Sequence, residues 1–255
     1  MAGFFKRLIA HPLTKGMDID DPQTTALRLQ IIRSKPFLRK LYEEWYLQIA
    51  SCFDSGAQVL ELGSGAGFLK EFIPGLLTSE LFPTPGVKLE INAQSIALAD
   101  SSLDGIVMTD VLHHLTDCSS FFREGARVLR SGGKIVMIEP WNSSWSCWVY
   151  THLHHEPFNP DATSWKFPSS GPLSGANGAL PWIVFKRDRV LFAERHPELR
   201  LVSIAPMMPF AYLLSGGVSL RGFLPRWMYG FIRYMERQST ESTQAMFAMI
   251  IVERR

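Results

Sequence analysis

Val59-Leu60-Glu61-Leu62-Gly63-Ser64-Gly65-Ala66-Gly67 is a short apolar run that ends in a glycine turn and continues into Phe68-Leu69. The run reads as a buried strand. The glycines let the backbone turn tightly and let a ligand approach with no Cβ in the way. An alternating rhythm surrounds this stretch. Residues 68–77 read as helix, and residues 77–80 and 87–91 as short strands. Residues 105–109 form a buried strand after Asp104. Residues 119–129 read as a helix stopped by Arg130-Ser131-Gly132-Gly133, and residues 134–139 as a strand again. Such alternation implies parallel pairing through right-handed crossovers. The glycine turn then lies at the carboxyl end of the first strand, where open α/β sheets bind ligands.

The chemistry of the turn separates two classes of ligand. Its spacing is G-x-G-x-G, a departure from the dinucleotide fingerprint G-x-G-x-x-G. Glu61, directly before it, would repel a pyrophosphate. It suits a ligand carrying an ammonium group, through a charge-assisted contact. A zwitterionic amino-acid tail therefore fits better than a diphosphate. Glu80 follows Glu61 by 19 residues, at the end of the second strand. An acidic side chain there accepts hydrogen bonds from ribose hydroxyls; the bland reading is a solvated loop residue.

Taken in order, these elements and those that follow resemble the class I methyltransferases, in particular the ubiquinone/menaquinone-methyltransferase-like group. The resemblance runs over residues 59–140. It rests on Glu61-Leu62-Gly63-Ser64-Gly65-Ala66-Gly67, Asn92-Ala93, Leu103-Asp104-Gly105-Ile106-Val107, Val111-Leu112-His113-His114-Leu115 and Arg127-Val128-Leu129-Arg130-Ser131-Gly132-Gly133. Each element is weak alone, and the ordered set is specific. The resemblance implies a Rossmann-like α/β fold: seven mostly parallel strands, the last antiparallel, with helices on both faces, N-terminal helices and a cap-like insertion. It implies S-adenosyl-L-methionine as cofactor. Glu61, Gly63, Ser64, Gly65 and Gly67 would lie along its methionine part, Glu80 at the ribose, Asn92 and Ala93 at the adenine edge, and Thr109 near the sulfonium. Two positions depart from the family pattern. Asn92 stands where aspartate is common, and Ser131 replaces the usual proline of the Leu-x-Pro-Gly-Gly turn.

Methyl transfer from a sulfonium is an in-line displacement with a good leaving group, so a protein mainly supplies approach geometry and desolvation. A base is needed only where the acceptor carries a proton at attack. His113 and His114 follow the fourth strand; His114 is a candidate base, or else a local packing residue. His152-Leu153-His154-His155-Glu156 offers a second candidate, His155, or a polar cap segment that shapes the acceptor pocket. Its spacing matches no metal motif such as H-E-x-x-H, so no metal is expected.

This last segment belongs to a loop-rich insertion, residues 141–186, that is dense in Trp, His, Pro, Ser and Gly. Within it, residues 169–182 read as a lid or as a plain surface loop. The whole chain is expected to be a single methyltransferase domain: N-terminal helices over 1–52, the cofactor core over 53–140, the insertion, and the end of the sheet over 187–255. Pro36 should split the N-terminal helix over 22–52 into two pieces. Residues 210–235 form an aromatic and basic stripe, expected to pack in the core; the competing reading is a helix lying on a membrane.

The bulk composition narrows the partners. The 255 residues carry 26 basic and 24 acidic side chains, a net charge of +2. No global field draws nucleic acid, so none is expected. The acceptor is expected to be a small or lipid-like molecule, with peripheral membrane contact an open alternative. Three cysteines form neither a metal spacing nor a disulfide framework, and no signal-peptide core stands near residue 1, which together predict a cytoplasmic protein. Two competing functions stand beside methyl transfer: an NAD(P)-dependent oxidoreductase of Rossmann type, and a non-catalytic module that binds S-adenosylmethionine.

Overall fold

A computed structural model describes residues 22–65, 67–154, 156–168, 175–218, 220–222, 224–238 and 241–255. Two helices open it: α1 (Pro22–Ser34) and α2 (Pro36–Ala50). Pro36 separates them as the sequence predicts. It holds Lys35 in an extended conformation, as proline does to the residue before it. The Lys35 ammonium turns inward and donates to the Leu220 carbonyl at 2.8 Å and to that of Gly217. Burial draws its pKa down to about 8.

The strands are β1 (Val59–Leu62), β2 (Leu77–Glu80), β3 (Leu89–Glu90), β4 (Leu103–Thr109), β5 (Leu129–Pro140), β6 (Leu199–Met207) and β7 (Phe247–Arg254). They form one seven-stranded sheet in the order β3-β2-β1-β4-β5-β7-β6. β1 to β5 pair in parallel, and β7 enters antiparallel between β5 and β6. The expected sheet is therefore present, with its antiparallel strand.

The pleat sorts the core. Leu60, Ile106, Ile135 and Val252 share one row of the sheet and point to one face. There α3 (Cys118–Val128), capped by the Asp117 side chain on Ser120 N, packs with residues 183–192. Val107 and Val136 point to the opposite face, onto Leu38, Leu41, Trp45 and Ile49 of α2. The remaining helices are α4 (Ser144–Leu153), α5 (Leu180–Trp182), α6 (Arg189–Arg195), α7 (Ala211–Ser215), α8 (Met228–Arg237) and α9 (Glu241–Gln244), with a π-helical turn over Ile183–Arg187.

Three local expectations are corrected. Residues 68–77 hold only a single 3-10 turn, Leu69–Glu71, and no α-helix. Pro74 and the left-handed Gly75 (φ +82°) end it before a second turn forms. The supposed lid is part of the core over residues 175–182, where Ala176, Asn177, Ala179, Leu180 and Pro181 are buried. Asn177 N donates to the His113 carbonyl and its amide bonds both ways with the Asn159 backbone. Residues 169–174 lie outside the described residues.

The third correction concerns the aromatic stripe. Ile232, Arg233 and Glu236 face inward on α8, while Trp227, Phe231, Tyr234 and Met235 face solvent, Trp227 with 77% of its surface exposed. Arg233 is held by Glu44 of α2 at 2.7 Å and by Glu236, whose carboxylate also accepts the N–H groups of Phe210 and Ala211. That ionic network puts Arg233 and Glu236 inside and leaves these four side chains outside, whereas Tyr212, Leu213, Leu224, Met228 and Tyr229 of the same stripe pack against the core as expected.

Candidate active site

The carboxyl ends of β1, β2 and β4 open onto one cavity of about 540 Å³, within the range of roughly 300–1,000 Å³ usual for small-molecule sites. Of the residues singled out from sequence, Glu61, Gly63, Gly67, Glu80, Asn92, Ala93, Thr109 and His114 line it. Ser64 and Gly65 stand behind the lining. Ser64 N donates to the Ser79 carbonyl, and Gly65 N donates to Glu80 Oε1 at 2.7 Å. His155 lies outside the described residues.

The turn after β1 is shaped by close approach. Gly63 has φ +72°, and a Cβ there would stand 2.5 Å from Val111 Cγ2. A Cβ on Gly67 would lie 2.9 Å from Tyr46 Oη and 3.3 Å from Glu61 Oε1. Tyr46 and Tyr42, both on α2, thus complete the wall beside the glycine turn. The Glu61 carboxylate is buried in this wall, and no ion pair reaches it among the described residues. Its pKa is pushed up to about 7: burial dominates and the Glu80 charge adds to it, against a hydrogen bond from Ser64 and the charge of Lys70. Burial likewise raises Glu80, against the backbone N–H groups of Gly65 and Leu81.

A second set of ionisable groups occupies the far end. β4 ends at Thr109, and Asp110 follows in a left-handed conformation (φ +63°), a strained placement for a residue other than glycine. Burial pushes the Asp110 carboxyl up to about 7. The 3-10 turn Leu112–His114 then sets two imidazoles side by side. Glu139, at the end of β5, accepts Val111 N and Leu112 N on one oxygen and bonds His113 Nδ1 at 2.8 Å with the other. Burial works to lower the His113 pKa, but Glu139 and Glu156 outweigh it and hold it well above the ordinary value. Burial and the neighbouring His113 bring His114 down to about 4. Burial works to raise Glu156, yet the surrounding histidines hold it well below the usual carboxylate range.

The insertion supplies the wall opposite, through Tyr150, His154, Glu156, Pro157, Phe158 and Gly178. His152, from the same motif, turns away onto Trp148. Arg28, Asp110, Glu139, Tyr42, Tyr46 and Tyr150 carry no motif that marks them in the sequence. The alternation of Tyr42, Trp45 and Tyr46 along an apolar helix face was their only signal, and it signals packing as well as lining.

The donor set fits S-adenosylmethionine. A buried carboxylate without a cationic partner, above a glycine cradle that any Cβ would fill, calls for a ligand ammonium group at Glu61. The outer end of the wall, Glu80, Leu81, Ile91, Asn92 and Ala93, offers a carboxylate, an amide and an apolar edge for a nucleoside.

Residues 74–137 match the family described as Methyltransferase domain. No curated relative matches the chain. Among solved structures, the chain is similar to geranyl diphosphate C-methyltransferase from Streptomyces coelicolor A3(2), at 10% identity and TM-score 0.50, covering 86% of this chain and 80% of that one. It is similar also to the YcgJ protein of Bacillus subtilis, at 14% identity and TM-score 0.48, covering 85% and 99%. A protein from Listeria monocytogenes grouped with the S-adenosylmethionine-dependent methyltransferases gives 10% identity and TM-score 0.47, covering 82% and 98%. The first of these likenesses speaks to the fold alone. Residues 74–137 thus carry a methyltransferase-domain match, and the seven-stranded sheet gives the whole chain the fold of that solved structure.

Proposed function

We propose that this protein transfers a methyl group from S-adenosylmethionine to a small or lipid-like acceptor bound in the far half of the cavity. One observation carries the reading: the buried Glu61 carboxylate at the glycine turn, with no cationic partner among the described residues, where a ligand ammonium group offsets the burial of its charge. The cofactor supplies the methyl group and a neutral thioether as leaving group. Glu61 holds its ammonium group, Glu80 its ribose, and Asn92 with Ala93 its adenine. Thr109 and Asp110 border the reacting carbon. Tyr150, Pro157 and Phe158 of the insertion exclude water and aim the acceptor. His114, neutral at pH 7, is the side chain at this end that accepts an acceptor proton if one must leave.

A lipid-like acceptor is favoured by the outside of α8. Trp227, Phe231, Tyr234 and Met235 form an exposed apolar face bordered by the exposed Arg226 and Arg237, a composition that matches an anionic bilayer surface. The chain leading into α8 comes from the cavity, which Tyr212 and Val218 line. No described helix is long and apolar enough to cross a membrane, so contact would be peripheral.

Calorimetric titration with S-adenosylhomocysteine and with NADH tests the reading. S-adenosylhomocysteine should bind and NADH should not; binding of NADH alone would end the methyl-transfer proposal in favour of an oxidoreductase.

A further inference from the structure

The far end of the cavity holds more ligand chemistry than a methyl transfer requires. His114 Nδ1 faces the Gly175 carbonyl at 3.2 Å, and a carbonyl only accepts, so this nitrogen carries the proton. His113 Nδ1 is matched to the Glu139 carboxylate, whose oxygens take three hydrogen bonds in all. In both rings the Nδ1 side is therefore committed to an oxygen acceptor, which leaves Nε2 as the coordinating atom; His114 lines the cavity and His113 is buried directly behind it. The two Nε2 atoms converge on one carboxylate: His113 Nε2 lies 3.4 Å and His114 Nε2 3.8 Å from Glu156. His113, set between the Glu139 and Glu156 carboxylates, calls for a positive charge there: a proton on Nε2, or a metal ion that replaces it. An imidazole whose second nitrogen donates to a carboxylate or backbone carbonyl is also the usual outer arrangement of a metal-bound histidine.

We propose that His113 Nε2, His114 Nε2 and the Glu156 carboxylate hold a divalent transition-metal ion. The three ligand atoms already lie within 4.8 Å of one another, so small side-chain movements reach the ligand spacing of a site with bonds of about 2.0–2.2 Å. Two imidazoles and one carboxylate favour zinc, cobalt, nickel, iron or manganese over magnesium or calcium. A set of three protein ligands leaves a coordination position open, and it opens onto the cavity. A second grouping, Asp110 with His113 and Glu139, is the poorer site because Glu139 already takes three hydrogen bonds, one of them from His113 Nδ1 itself. With His114 Nε2 on the ion, His114 no longer serves as a base; the ion would instead bind an acceptor through oxygen, which names the acceptor class as one bearing a hydroxyl, carboxylate or phosphate oxygen beside the methylated atom. This last role rests on the methyl-transfer reading; the metal site itself does not.

Cobalt(II) is the probe. Tag-free, chelator-stripped protein titrated with cobalt should develop visible d–d absorption that saturates at one equivalent. His114→Asn and the isosteric Glu156→Gln should each weaken binding at least 100-fold, whereas His152→Ala, outside the cavity on α4, should leave it unchanged. Spectra of protein labelled with ¹⁵N-histidine give a readout that needs no variant: cobalt should broaden His113 and His114 before His152 and His196. Absence of saturable absorption, its persistence unweakened in His114→Asn and Glu156→Gln, or broadening that begins elsewhere would overturn the site and leave a proton alone between His113 and Glu156. Parallel titration with S-adenosylhomocysteine separates the two proposals. Binding of that ligand without cobalt removes the metal only, and binding of cobalt without it removes the methyl donor only.

Discussion

Glu61 is under opposing demands, because the site needs its charge and the fold buries it. Its folded pKa of about 7 lies above the ordinary 4.5. Between those values the folded protein keeps a proton that the unfolded chain has lost. The stabilisation is complete below pH 4.5 and is lost as the pH rises through 7. A bound ammonium group favours the carboxylate, so binding below pH 7 must expel the proton. S-adenosylhomocysteine should bind about tenfold more weakly at pH 6 than at pH 8, with proton release measurable by calorimetry in buffers of different ionisation enthalpy. In Glu61→Gln the release should vanish and affinity fall by about 10- to 100-fold, the worth of a charge-assisted hydrogen bond. The ligand-free variant should melt higher than wild type at pH 8, since a buried charge is gone. Equal proton release in both proteins would place the titration on another group. Glu61 was legible as a site residue because its charge precedes a glycine turn. Its neighbours Tyr42 and Tyr46 were not, because an aromatic residue on a helix reads the same whether it fills a core or walls a cavity.

Among the elements, α8 separates what periodicity tells from what it does not. Apolar residues occur on both sides of this helix, so the 3.6-residue period does not say which side turns inward. The ionic network decides. Arg233 with Glu44 and Glu236 takes the buried side, and Trp227, Phe231, Tyr234 and Met235 are left outside. Removing Arg233 strands two carboxylates, one of which holds the N–H groups at the start of α7. Arg233→Met should cost about 3–5 kcal/mol in urea unfolding; a loss under 1 kcal/mol would show the network to be incidental. The contrast with α1 and α2 is instructive. Their division at Pro36 was legible because proline acts on the backbone directly, as were β1, β4 and β5 from their continuous apolar runs. The 3-10 turn after Gly67 was misread as helix because the apolar spacing continues across Pro74 and Gly75, which forbid it.

At the scale of the whole molecule, one cavity draws on segments far apart in sequence: Arg28 with Tyr42 and Tyr46, the turns after β1, β2 and β4, residues 150–158 of the insertion, and Tyr212, Val218 and Phe247. The order of strands was legible from the repeating rhythm. The assembly of the acceptor end was not, since no local pattern links His113, Glu139 and Glu156. The exposed face of α8 belongs to this scale too. Vesicles containing anionic lipid should sediment the protein and neutral vesicles should not, and the paired changes Trp227→Ser and Phe231→Ser should reduce sedimentation at least fivefold. Equal recovery on both vesicle types would argue that the face meets something other than an anionic surface.

The position of β7 between β5 and β6 has a consequence for the growing chain. Synthesis proceeds from β5 to β6 before β7 exists, yet among the described strands β6 pairs with β7 alone. On the ribosome, β5 and β6 each present an unpaired edge while residues 208–246 are still being added, and exposed edges of this kind invite wrong pairing. The sheet is completed by insertion and not by accretion. Phe247, which starts β7, also lines the cavity and packs on Trp45. Competence to bind a ligand should therefore appear late and abruptly during translation, when the last strand slides home.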